Sequence, residues 1–103
     1  MQYLKFANDT AIQFTASTTA KTVYDYLIDA GETPTTLQGL SAVEINPEGD
    51  IRYTLNGNVP TTTKGMRLLS GETRLVRGDS IDKIYIVAES GTPVINIQAG
   101  KVN

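Results

Sequence analysis

Cysteine and histidine are both absent from this chain. Without cysteine there is no disulfide framework and no thiolate metal site, so packing and hydrogen bonds must hold the fold in either redox compartment. Without histidine the chain lacks the commonest zinc ligand and the side chain most used for acid–base work near neutral pH, which makes a hydrolase an uphill reading. Charge is sparse as well: 19% of residues are charged, and 9 basic against 11 acidic residues leave a formal charge of −2. That balance gives no electrostatic footprint for DNA, RNA or an anionic lipid surface, so neither nucleic acid nor membrane is expected as a direct partner. Long apolar runs are missing. Nowhere do about 18 apolar residues follow one another, as a spanning helix needs. Met1 to Phe6 carry one Lys and no apolar stretch of signal-peptide length, so the expectation is a protein made soluble and not exported by a cleaved signal.

What is present suits short strands. Thr, Gly and Asn are abundant, and 103 residues are enough for one domain over 1–103, whereas two cores would each be too small. Period-two apolar alternation recurs in segments of about five residues separated by turn residues. Leu4 and Phe6, then Ile12, Phe14 and Ala16, alternate around Asn8-Asp9-Thr10 and predict a first hairpin. Ala42 to Ile45 and Asp50 to Leu55 read as strands joined into a second hairpin by residues 46–50, with Asn56-Gly57 ending the latter strand. Met66 to Leu69 and Thr73 to Val76 flank Ser70-Gly71-Glu72 as another hairpin. Ile84 to Ala88 is apolar on both faces, as a central strand should be, and pairs through residues 89–93 with Val94 to Gln98. One helical pattern interrupts this. Val23, Leu27 and Ala30 recur at i, i+4 and i+7, with Thr22 to cap the start and Gly31 to end it, giving about two turns over one end of the domain. The expected fold is all-β, an antiparallel β-sandwich or β-barrel-like domain with one short helix or helical turn.

No constellation points to catalysis. Asp25, Asp29, Glu44, Glu48, Asp50, Glu72, Asp79 and Asp82 fall mostly in turns or helix ends, where solvated acids are ordinary, and no enzyme activity is expected. Asn46, Glu48 and Asp50 are spaced like oxygen ligands, but Pro47 and the lack of a closing bidentate Glu favour a turn, so no metal is expected. The nine glycines form neither GxGxxG nor a phosphate-binding loop, and no cofactor is expected. Five Tyr and two Phe would stack on sugars if several shared an exposed face, yet Tyr53, Tyr85, Phe6 and Phe14 sit in strand patterns that core packing explains. The stretch Asn58-Val59-Pro60-Thr61-Thr62-Thr63-Lys64 is the most unusual: polar, rich in hydroxyls and stiffened by Pro60. It is either a solvent-facing connector or a contact loop, and an unpaired strand edge offers a further route to contact.

Asp50-Ile51-Arg52-Tyr53, Asn56-Gly57-Asn58-Val59-Pro60-Thr61, Lys64-Gly65-Met66-Arg67-Leu68-Leu69, Gly71-Glu72 and Ile84-Tyr85-Ile86-Val87-Ala88 before Gly91-Thr92 resemble small virion proteins of tailed bacteriophages. Ala20, Val23-Tyr24-Asp25, Leu27 and Ala30-Gly31 are similar to the front half of the same proteins, so the likeness covers roughly residues 19–98. Asn56 departs from it, since an acidic residue often precedes that Gly, but Asn suits the same turn. The resemblance implies a non-catalytic structural protein of the particle, made in the host cytoplasm. A capsid decoration or cement role is the first expectation, and a neck or tail component or a carbohydrate- or receptor-binding β module the alternatives. The implied partners are the major capsid protein or other virion proteins, in a homo-oligomer or symmetric multi-copy assembly. Tyr3, Lys5, Thr61, Thr62, Thr63 and Lys64 are the candidate contact residues.

Overall fold

Ile51 and Tyr53 are buried while Arg52 and Thr54 between them are half-exposed, the burial pattern that period-two alternation requires of a strand with one face in a core. The same logic builds eight strands in a computed structural model that describes residues 4–37, 39–78 and 80–102. They are β1 Leu4–Thr15, β2 Lys21–Thr22, β3 Ala42–Pro47, β4 Ile51–Thr54, β5 Met66–Leu68, β6 Arg74–Arg77, β7 Tyr85–Ala88 and β8 Val94–Val102. Two four-stranded antiparallel sheets result, in the orders β1-β8-β3-β6 and β2-β7-β4-β5. Of the two architectures expected, the sandwich is the one formed. Val43, Ile45, Ile95 and Ile97 from the first sheet and Ile51, Tyr53, Leu68 and Ile86 from the second join one cluster of buried side chains. Burial of each such aliphatic side chain contributes about 1.5–3 kcal/mol. β7 lies between β2 and β4, and its Ile86, Val87 and Ala88 are all buried, which is why that segment is apolar on both faces.

None of the four predicted hairpins is a hairpin. Residues 4–15 form one continuous strand along β8, with a register shift between Phe6 and Ala11 where Asn8-Asp9-Thr10 had suggested a turn. β3 and β4, β5 and β6, and β7 and β8 each belong to different sheets, so residues 48–50, 69–73 and 89–93 are arches that carry the chain across the core. The physical reason is one of distance. Stacked sheets lie about 10 Å apart, and three to five residues at about 3.3 Å each reach across that gap as readily as to a neighbouring strand. An arch sets two apolar strand faces against each other, so it buries the same pattern that suggested a hairpin. The arches brace one another at one end of the sandwich through Glu48 N–H to Val94 O (2.8 Å), Gly71 N–H to Pro47 O (2.8 Å) and Glu89 N–H to Asp50 O (3.1 Å). Only β4 and β5 are consecutive strands paired in one sheet, and their connection runs from Leu55 to Gly65.

Helix α1, Val23–Asp29, forms where the periodicity places it. Thr22 caps it by accepting the Asp25 N–H at 3.0 Å, and Gly31 follows it at φ +103, a conformation that a side chain would disfavour. The helix lies along the side between β1 and β2 rather than over an end: Tyr26 stacks on Phe14 of β1 with ring centroids 4.5 Å apart, and Lys21 of β2 pairs with Asp29 at 3.0 Å. A second helical turn, α2 Pro34–Leu37, was not foreseen, although Pro34 at its first position is a known start signal. Among the described residues, no helix is long and apolar enough to cross a membrane.

Candidate contact surface

The side opposite α1 is bounded by β5 and β6, the terminal strands of their sheets. Tyr53 of β4 points inward, and its hydroxyl accepts from Arg74 Nη1 of β6 at 3.0 Å, so a guanidinium links the two sheets where α1 closes the other side. Met66, opposite Tyr53 on β5, stays 45% exposed, and Leu75 on β6 is 43% exposed. Leu75 faces outward because Val76 beside it takes the inward position of the alternation.

The loop from Leu55 to Gly65 borders this side and is organised by its own bonds. Asn56 and Gly57 both have positive φ (60 and 78), and Asn58 N–H to Leu55 O closes the type I′ turn that an Asn-Gly pair favours. Gly57 N–H donates to Lys83 O at 2.9 Å, and the Thr54 hydroxyl to Asn58 O, fastening the loop at its root. Pro60 is buried, after which Thr61 and Lys64 exchange backbone hydrogen bonds of 3.0 and 3.2 Å around Thr62-Thr63. Gly65 then turns the chain into β5 at φ +129, with Pro60 Cβ, Tyr53 O and Arg52 Cβ so near that an added Cβ would sit 3.2–3.3 Å from each. The sequence candidates Thr61, Thr63 and Lys64 are therefore exposed on a tight tip, Thr62 is half-buried, and Val59 beside them is 66% exposed. Lys5 lies in β1 opposite Lys101, in a different strand from the Thr tip, and Tyr3 falls outside the described residues.

Behind the tip, Arg52 and Arg67 face each other across β4 and β5, an arrangement of like charges that is destabilising unless compensated. Glu89 compensates it. Its carboxylate accepts from Arg67 Nε and Nη2 at 2.6 and 2.9 Å, a bidentate pairing. Arg52 Nε lies 3.2 Å from the same carboxylate but is not aligned to donate to it, while Arg52 Nη1 donates to Gly65 O at 3.1 Å. The Arg67 hydrogen bond holds the Glu89 carboxyl below the usual carboxylate range, with burial opposing and the charges of Arg67 and Arg52 assisting. Asp50 adds a contact to Arg67 at 3.6 Å and accepts the Ser70 N–H at 2.9 Å.

Other surfaces carry polar networks. On the outer face of the first sheet an amide row runs across three strands: Gln13 donates to Asn96 at 2.7 Å, Asn96 to Asn46 Oδ1 at 3.1 Å, and Asn46 to Thr73 Oγ1 at 3.2 Å. Glu48 accepts from Asn96 at 3.1 Å and so joins the same network as Asn46, whereas Asp50 accepts the Ser70 N–H and lies 3.6 Å from Arg67. Among the described residues no group of three or more acidic side chains gathers as metal ligands would. An open depression of about 420 Å³ lies between β1 and α1, lined by Gln13, Thr15, Lys21, Tyr26 and Asp29 among others. Phe14, Tyr26 and Tyr53 are all buried, so these rings pack the core and offer no stacking platform.

The sequence singles out the Thr61–Lys64 stretch by composition, but not Met66, Arg74, Leu75 and Arg77 on the same side. The available signal was Arg74-Leu75-Val76-Arg77, where basic residues flank a strand pattern with an apolar residue on each face. No protein-family model matches the chain, and no curated protein matches it closely enough to establish kinship.

Proposed function

We propose that the chain is a non-catalytic structural protein of a tailed-phage particle, most specifically a capsid decoration or cement protein that bridges neighbouring shell subunits. The observation that carries this reading is the β5/β6 side: two strand edges at the margins of the sandwich, with Met66 and Leu75 exposed and a self-braced Thr61–Lys64 tip beside them. The resemblance over residues 19–98 supplies the particle. The mechanism is bridging. The sandwich keeps its own core intact, and the tip and free edges contact adjacent subunits, where many symmetry-related copies let small interfaces add up.

The test is the composition of purified virions, with copy number measured against the major capsid protein and the position imaged on the particle. A copy number comparable to that of the capsid protein, located on the head, supports decoration. About a dozen copies or fewer would move the protein to the neck or tail. Absence from the particle would remove the structural reading.

A further inference from the structure

β6 ends the first sheet, and among the described residues its backbone partners lie on one side only, along β3. The opposed pair Gly78 and Ser41 is hydrogen-bonded, with Gly78 N–H donating to Ser41 O at 2.9 Å. In an antiparallel ladder, hydrogen-bonded and non-hydrogen-bonded pairs alternate, so Val76 and Arg74 bond to β3 whereas Leu75 and Arg77 turn their N–H and C=O groups away from it. Those groups form a free edge beside the exposed Leu75 side chain. The charge nearby is distinctive. Lys64, Arg67, Arg74 and Arg77 fall within fourteen residues that hold one acid, Glu72, in a chain whose net charge is −2. Among the described residues, Arg67 has carboxylate partners within ion-pair distance, and Lys64, Arg74 and Arg77 have none.

We propose that the β6 edge is a docking edge for an extended segment of a partner protein that carries an apolar and an acidic residue two positions apart, on one face of the strand. The partner strand pairs with the outward N–H and C=O groups of Leu75 and Arg77, which share one face; an apolar side chain covers Leu75, and a carboxylate two positions along on the same face meets Arg77. A strand segment suits this edge better than nucleic acid does, because the free groups are main-chain donors and acceptors at strand spacing, whereas Phe14, Tyr26 and Tyr53 are buried away from any base that could stack on them. The inference rests on the reading of the chain as an assembly module, and names the chemistry of what one edge takes.

The experiment uses the full chain, isotopically labelled, and a short capped threonine-rich peptide that carries a valine and a glutamate two positions apart. The amide signals of Leu75 and Arg77 should shift on titration, and their hydrogen exchange should slow. Arg77→Glu should weaken binding by about tenfold or more. Leu75→Pro, which removes an outward N–H and no bond to β3, should abolish it. Thermal unfolding of both variants checks that the fold is retained, and the same peptide with lysine in place of the glutamate should not bind. The proposal is overturned by the absence of shifts at β6, by a single-stranded oligodeoxynucleotide competing better than the peptide, or by concentration-dependent self-association that occupies the edge without peptide. Virion composition reads out separately: a protein present on particles whose β6 edge ignores the peptide keeps its function and loses this edge.

Discussion

Glu89 holds two arginines that would otherwise repel, and its own proton equilibrium records that work. Its folded pKa is lowered chiefly by the Arg67 hydrogen bond, so its contribution to stability is present above the ordinary glutamate value of about 4.3 and is lost as pH falls through the lowered folded value. Glu89→Gln should therefore flatten the acid limb of a stability–pH curve measured by urea unfolding, while the wild type loses stability below about pH 4.3. Gly65 gives a second test. At φ +129, with Pro60, Tyr53 and Arg52 close on three sides, Gly65→Ala should cost about 1–3 kcal/mol in the same assay. Gly71→Ala, with φ +84 and open space around it, should cost less. At this scale the sequence was legible where the chemistry is local: Asn56-Gly57 names its own turn, and Thr22 its own cap. It was silent on Glu89, because Arg52 and Arg67 come from other strands and only the folded register brings the three together.

Helix α1 was readable for the same reason: its cap, its apolar positions and its terminating glycine lie within ten residues of one another. Thr22→Ala removes the acceptor for the Asp25 N–H and should cost about 1 kcal/mol. Leu27→Ala empties a wholly buried position and should cost about 2–5 kcal/mol, both read as shifts in denaturation midpoint at constant slope. Strands were readable as strands but not as partners. Val43 and Ile45 point inward whether the next strand lies beside them or across the core, so burial pattern alone does not separate a hairpin from an arch. Gly49 holds the discriminating clue, since a Cβ there would sit 2.7 Å from Pro93 Cβ; that contact between two connectors exists only if both arch at the same end. For the contact surface the same limit applied: the Thr tip stood out by composition, while the β6 edge depends on which strand is last in its sheet.

Across the molecule, successive strands change sheet at nearly every step, and β1 pairs with β8 from the far end of the sequence. Native pairings of this kind close long loops before they bring reward, so stopped-flow refolding should be slow for the size, in the millisecond-to-second range of sandwich domains. A microsecond phase carrying the full amplitude would contradict the topology. The opposed register of β1 and β8 also sets how the molecule bears load. Leu4 faces Val102, so tension applied through these two residues pulls across the ladder and opens its bonds one after another, a peeling geometry that yields at low force. Tension entering along β6 and leaving through the arches would instead strain several bonds at once. The domain is therefore mechanically stronger when held by its β6 edge than when held by the β1–β8 pair.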